Sequence, residues 1–188
     1  MRPPTSSAIP DAALRRRATP ALARWLIGKT LVRRLPDGAV TRHIITETEA
    51  YHGEADLACH AAKGRTARTG VMYRAGGVWY VYLCYGVHEM LNLVTGPENF
   101  PAAILIRAVH DITGPGRLTK ALRITRALNG ASACDDSSGL WLEETPARLA
   151  KLAPKIIATP RIGIAYAGPV WSQKPWRFVM QPVHPNEL

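Results

Sequence analysis

Cysteine is scarce in this 188-residue chain: Cys59, Cys84 and Cys134 form no CxxC pair and cannot all be bridged. A disulfide framework or a zinc ribbon is therefore excluded as the organising device, and a reducing compartment is expected. Long apolar runs are missing too. The longest, Val78–Val94, is broken by His88, Glu89 and Asn92, and no apolar stretch precedes a cleavage site near the N-terminus, so neither a membrane span nor a secretion signal is expected. Arg15-Arg16-Arg17 superficially resembles part of a transit peptide, but helical patterning follows at once. Acids are the minority charge, 14 Asp and Glu against 24 Lys and Arg, for a net +10. That balance favours a polyanionic partner, although a solvated basic surface has the same signature. A Gly-rich phosphate loop, HExxH and GxSxG are all absent, which removes nucleotide hydrolysis, metalloprotease and serine-hydrolase chemistry.

What is present suits one well-buried domain, with residues 1–18 as a flexible tail and 19–188 as the folded unit. Thr19-Pro20 reads as N-cap and first residue of a helix that carries Leu22, Trp25 and Leu26 on one face and ends at Gly28. Leu31–Arg34, the Pro36-Asp37-Gly38 turn and Val40–Ala50 read as a hairpin whose long second strand brings Glu47, Glu49 and Tyr51 to one face. Ala55–Ala62 is a helical turn carrying His60, and Lys63–Gly70 is a basic loop with Arg65 and Arg68 suited to an anion. On Val78–Cys84, Tyr80 and Tyr82 share one face and Trp79, Val81 and Leu83 the other. Tyr85-Gly86 turns the chain into Val87–Thr95, and Ala102–Val109 adds a strand ending near Arg107. Gly114-Pro115-Gly116 opens a helix with Leu118, Ala121 and Leu122 inward and Arg117, Lys120 and Arg123 outward. Asn129–Ser138 and the Pro-interrupted Thr145–Pro160 are expected as surface connections, and Arg161–Ala165 and Trp176–Met180 as closing strands. The class is mixed, with antiparallel strands dominant.

The chemistry left to these residues is an acid among aromatics. A carboxylate partly removed from water beside a ring can act as a general base; Glu47 and Glu49 both qualify, and spacing does not choose between them. Four of the six tyrosines cluster at positions 51, 80, 82 and 85. Core packing explains that ordinarily, but a rigid sheet also offers ring faces on which a nucleobase gains roughly 1–3 kcal/mol. Tyr85 falls at a hairpin tip, where a bulky ring can wedge between base pairs. His60 reads most simply as a satisfied buried histidine, and Cys84 with His88 lacks the further ligands of a metal site.

Thr46-Glu47-Thr48-Glu49-Ala50-Tyr51, His60, Tyr80-Val81-Tyr82-Leu83-Cys84-Tyr85-Gly86, Asn92 and Ile104-Leu105-Ile106-Arg107 together resemble the alkyladenine (3-methyladenine) DNA glycosylases. The resemblance continues through Gly114–Leu122, Arg161-Ile162-Gly163-Ile164 and Trp176-Arg177-Phe178, nearly the whole chain from Leu22. It implies a single α+β domain: a curved antiparallel sheet or partly open barrel, flanked by helices, with a protruding β-hairpin. It implies Glu49 as the base that activates water, leaving Glu47 structural or solvent-facing. Arg107 and the main-chain carbonyl of Ile162 would partner that water. Tyr51 and Tyr82 would sandwich an extruded base with His60 alongside, Asn92 would crowd a guanine 2-amino group, and Tyr80 would be structural. Tyr85 would fill the vacated duplex, with His88, Arg65, Arg68, Arg117 and Lys120 as further DNA contacts. The expected activity is monofunctional excision of alkylated purines (3-methyladenine, 7-methylguanine, hypoxanthine less strongly) by a monomer needing no metal or cofactor, in the cytoplasm at the nucleoid, or in the nucleus of a eukaryote. A basic module that binds lesions or abasic sites without catalysis is the alternative, and hydrolysis of free nucleosides explains neither the charge nor the aromatic tip.

Overall fold

A computed structural model describes residues 8–16, 18–152 and 154–181. Its centre is one curled antiparallel sheet, a half-barrel, built around a long strand, β2 (Val40–His52). One edge of β2 pairs with β5 (Ala102–Val109), continuing to β4 (His88–Val94) and β3 (Trp79–Cys84). The other edge is divided: β1 (Thr30–Arg34) takes residues 40–44 and leads on to β7 (Leu140–Glu143), while β9 (Arg177–Met180) takes residues 47–49 and pairs onward with β8 (Ile156–Thr159). The short β6 (Ile112–Thr113) turns back on β5. Against β5, the register of β2 shifts on either side of Glu47. Such a bulge re-aims side chains and sharpens twist, here immediately before Glu49.

Two apolar clusters use the two faces of this sheet. The larger gathers Leu22 and Leu26 of α2 (Thr19–Leu26), Leu31, Ile45, Trp79, Val81, Leu93, Ile104, Ile106 and Leu118 of α3 (Pro115–Ala121). The smaller holds Cys59, Met72, Tyr73, Tyr80, Val94 and Ala103, with Tyr51 and Tyr82 packed on it. Period-two alternation along β3 sends Trp79 and Val81 to the first and Tyr80 and Tyr82 to the second.

Several local expectations are corrected. Part of the segment before Thr19 is packed: α1 (Asp11–Leu14) follows Ile9, and Ile9 and Leu14 are fully buried in the main core; residues 1–7 and 17 lie outside the described residues. Thr19 is inside α2 and caps nothing, because its hydroxyl is engaged by Thr95 at 3.1 Å and His52 Nδ1 at 2.9 Å. Ala121 is exposed; a seven-residue helix has only one inward stripe, and Leu118, Thr119 and Leu122 fill it. Thr145–Pro160 is more than a connection, holding α4 (Ala147–Leu152) and β8, with prolines at 146, 154 and 160 outside both elements rather than interrupting either. Arg161–Ala165 is not a strand: Gly163 takes φ +75°, and the Ile162 N–H goes to a side chain instead of a ladder. The helix α5 (Gly168–Ser172) follows a 3-10 turn at Ala165–Ala167.

Candidate active site

A cavity of about 240 Å³ opens where β2, β3, β4 and β5 curl against the loop after β8. Of the sequence-nominated residues, Glu49, Tyr51, His60, Tyr82, Tyr85, Asn92, Arg107 and Ile162 all line it. Arg65, Arg68, His88, Arg117 and Lys120 lie outside the lining and are exposed.

Glu49 sits at its floor with a side chain that is 0% exposed. Its Oε1 accepts the Ile162 N–H at 2.8 Å and its Oε2 accepts the Tyr51 hydroxyl at 2.9 Å. Arg107 Nη1 stands 3.4 Å from Oε2. Burial pushes the Glu49 carboxyl above its ordinary value, whereas Arg107, the Ile162 N–H and the Tyr51 hydroxyl pull it back. The Tyr51 phenol, buried beside that acid, is held well above its ordinary range and stays a donor. Ile162 thus engages Glu49 through its N–H, on the residue whose carbonyl was expected to face a water.

Glu47 is not solvent-facing. Its Oε1 accepts Arg107 Nε at 2.8 Å and Arg177 Nε at 2.6 Å, so both guanidinium groups confine it beneath the sheet surface. With both lone pairs of that oxygen used by arginines, it braces Arg107 rather than facing the cavity.

The walls are aromatic. The rings of His60 and Tyr82 meet edge-on with centroids 4.6 Å apart, and Tyr80 and Tyr82 tilt together at 5.3 Å. His60 Nδ1 pairs with the Tyr80 hydroxyl at 3.1 Å. Burial, and then the positive field of Arg68, lower the imidazole to about 4, so it is neutral at pH 7. Asn92, buried on β4, donates Nδ2–H to the carbonyls of Tyr80 and Met90 at 3.2 and 3.3 Å, which fixes its amide at the cavity edge. At the β3–β4 tip, Tyr85 is 95% exposed and, with Gly86, adopts the left-handed backbone that a tight hairpin turn demands (φ 49° and 71°). His88 lies against Gly116 of α3, and the Thr119 hydroxyl donates to the Glu89 carbonyl at 2.8 Å, fastening that helix to the hairpin.

The family model for methylpurine-DNA glycosylase matches residues 13–114 and 110–183. The chain belongs to the methylpurine-DNA glycosylase family. Members are hydrolases of DNA repair that act on DNA. The chain is 49% identical over 182 residues to a protein from Methanocella arvoryzae, with 86% of this chain and 87% of the relative covered. It is 45% identical over 174 residues to one from an Anaeromyxobacter species (88% and 85% covered), and 43% identical over 181 residues to one from Psychrobacter cryohalolentis (81% and 82%). All three relatives bear the 3-methyladenine DNA glycosylase name.

The cavity and its surroundings in this glycosylase-family chain also hold residues that sequence reasoning left without a role. Tyr166 lines the cavity from the loop side, 71% exposed, with its hydroxyl donating to the Ala58 carbonyl at 3.3 Å. Asp56 and Arg161 form a fully buried ion pair behind Tyr51. Arg161 was visible in the motif Arg161-Ile162-Gly163-Ile164; nothing in the sequence pointed to Tyr166. Among the described residues no helix is long and apolar enough to cross a membrane.

Proposed function

We propose that this protein is a monofunctional glycosylase of base excision repair that flips alkylated purines, 3-methyladenine and 7-methylguanine foremost, out of duplex DNA and hydrolyses the N-glycosidic bond with water activated by Glu49. The observation that carries the proposal is the position of Glu49: a fully buried carboxylate, held by three donors, opening onto a cavity walled by Tyr51, Tyr82 and His60.

A base inside a duplex hides its glycosidic bond, so extrusion comes first, costing a few kcal/mol and least for damaged pairs. Tyr85, exposed at the β3–β4 hairpin tip, fills the gap left in the stack. Arg65, Arg68, Arg117, Lys120 and His88 meet phosphates or the opposite strand. The extruded purine lies against Tyr51 and Tyr82, whose electron-rich faces favour a cationic alkylated base over its neutral parent, and Asn92 disfavours a guanine amino group. Water then attacks the sugar C1′ while Glu49 takes its proton; the C1′–N bond breaks and its electron pair neutralises the positive charge of the departing purine. A cationic lesion needs no general acid for this, whereas hypoxanthine does, and none is identified. Among the described residues no lysine lines the cavity, so a Schiff base and strand cleavage do not follow, and an intact abasic site is the product.

The test is release of free 3-methyladenine from methylated duplex DNA by the wild type and by Glu49→Gln. Release by the wild type alone supports the assignment. Equal rates from both proteins would falsify it, and no release from either leaves the chain a binding module.

A further inference from the structure

With Glu49 as the base, as proposed above, we infer that Arg161 is a positioning residue of this site: one buried guanidinium, gripped by Asp56, fixes the Ala50 carbonyl, the Tyr51 ring and the loop that presents the Ile162 N–H to Glu49.

The contacts converge on the stretch Glu49-Ala50-Tyr51. Arg161 and Asp56 side chains are both 0% exposed and pair bidentately, Nη1 to Oδ2 at 2.6 Å and Nη2 to Oδ1 at 2.8 Å. Asp56 is itself fixed, because it also accepts the N–H groups of His52 (3.2 Å) and Ala58 (3.1 Å). The same Nη1 donates to the Ala50 carbonyl at 2.8 Å, the peptide between the acid and the tyrosine. Nη2 also reaches the Trp171 carbonyl at 3.3 Å. The flat faces of the guanidinium lie near two rings, Cζ being 4.8 Å from the centroid of Tyr51 and 5.2 Å from that of Trp176. Arg161 is not a cavity-lining residue, so it backs Tyr51 from behind. One residue on, the Ile162 N–H holds Glu49 Oε1 at 2.8 Å.

Stability alone is a poor reason for such a pair. A buried ion pair recovers little more than its desolvation cost, and apolar residues of similar volume do as well or better. A planar fork that fixes one carboxylate, two carbonyls and a ring face gives something apolar packing cannot, a set orientation. Loosening it lets the loop carrying Ile162 drift and withdraws one of three donors from Glu49. The groups then left facing that carboxylate are Arg107 from β5, Tyr51 and Glu47 from its own strand, and, through Glu47, Arg177 from β9. With a donor to the ionised form gone, ionisation becomes harder.

The variants are Arg161→Lys, which keeps the charge but not the fork, and Asp56→Asn, which keeps the shape but, with a single acceptor oxygen, serves only one of the two N–H groups and one arm of the fork. Single-turnover excision from methylated duplex is measured across pH for each, with a thermal melt to verify folding. A misplaced site is expected to lower the rate at saturating enzyme by about 10- to 100-fold, with half-saturation little changed and the acid limb of the profile displaced to higher pH. A purely structural role lowers the melting temperature and leaves the limb in place, and a limb at the wild-type pH in whichever variant folds overturns the inference. Titration of the Glu49 carboxyl by carbon NMR in the free proteins reads the same displacement without catalysis. A wild type that releases no base therefore defeats the enzymatic proposal, while the NMR titration still decides this one.

Discussion

Arg107 Nη1 lies 3.4 Å from Glu49 Oε2, held at that distance because its Nε is committed to Glu47 Oε1 at 2.8 Å. The arginine is thus a braced cation, near enough to favour an ionised Glu49 without closing over it. Glu49 is raised by burial first and lowered by Arg107 next. A general base must be ionised, so its activity is lost as pH falls through its pKa. Removing the arginine raises that pKa further, so the acid limb of the excision rate in Arg107→Gln is expected to move to higher pH. The rate deficit relative to wild type should then be larger at pH 6 than at pH 8 in single-turnover profiles. A constant deficit across that range refutes an electrostatic role.

Glu47 carries a different expectation. It is buried between Arg107 and Arg177, and deleting one member of such a cluster leaves positive charge without its partner. Glu47→Ala should cost about 3 kcal/mol, read as a lowered urea midpoint at unchanged slope. Excision should suffer through displacement of Arg107, so adding Arg107→Gln to Glu47→Ala is expected to cost less activity than Arg107→Gln costs alone. Fully multiplicative losses would separate the two residues.

Tyr85 separates function from stability cleanly. Its backbone sits at φ 49°, a region that disfavours residues with a Cβ, and its side chain contributes almost nothing to the core at 95% exposure. Tyr85→Gly relieves the backbone and should cost no stability, yet it removes the ring proposed as the wedge. The expected result is an unchanged or higher melting temperature together with weaker fluorescence from a 2-aminopurine reporter of extrusion. Undiminished extrusion would remove Tyr85 from the role proposed for it.

The exposed cations predict a salt response. Each phosphate neutralised by Lys or Arg contributes about −0.9 to the slope of log K against log salt. The double variant Arg117→Ala and Lys120→Ala should flatten that slope by roughly 1.8 if both residues meet phosphates, and by nothing if α3 faces away from DNA. Fluorescence anisotropy with undamaged duplex at several salt concentrations measures it.

What the sequence could and could not reveal follows from the range of each interaction. The alternation of Trp79, Tyr80, Val81 and Tyr82 is local, so the two-faced strand was readable residue by residue. So was the placement of Glu47 and Glu49 on one face of β2. Choosing between those acids was not, because both reach Arg107; what distinguishes them is the Ile162 N–H on one and Arg177 on the other, partners 113 and 130 residues away. The Asp56–Arg161 pair spans 105 residues for the same reason. The four-residue β7 escaped notice because most of the backbone it pairs with, β1 and the stretch at Ala8, lies more than 100 residues away. Arg161–Ala165 read as a strand because Ile162 and Ile164 alternate, and that apolar signal carried no trace of the backbone donor being diverted to Glu49.

Gly76 gives the sharpest test of how the N-terminal segment joins the fold. The Leu14 carbonyl accepts the Gly96 N–H at 2.9 Å while resting on Gly76, where an added Cβ would stand 2.4 Å from that oxygen and 3.0 Å from Thr95 Cα. Both obstructions are backbone, so no rotamer change can relieve them. Gly76→Ala must push residues 9–14 outward and expose Ile9 and Leu14, now fully buried. An overpacked core typically loses about 1–3 kcal/mol, and limited trypsin digestion should cut faster after Arg15 and Arg16 once the segment lifts. The cavity lies elsewhere on the sheet, so excision at a temperature where the variant remains folded should match wild type. Unaltered digestion with full stability would mean that the segment is not held as described.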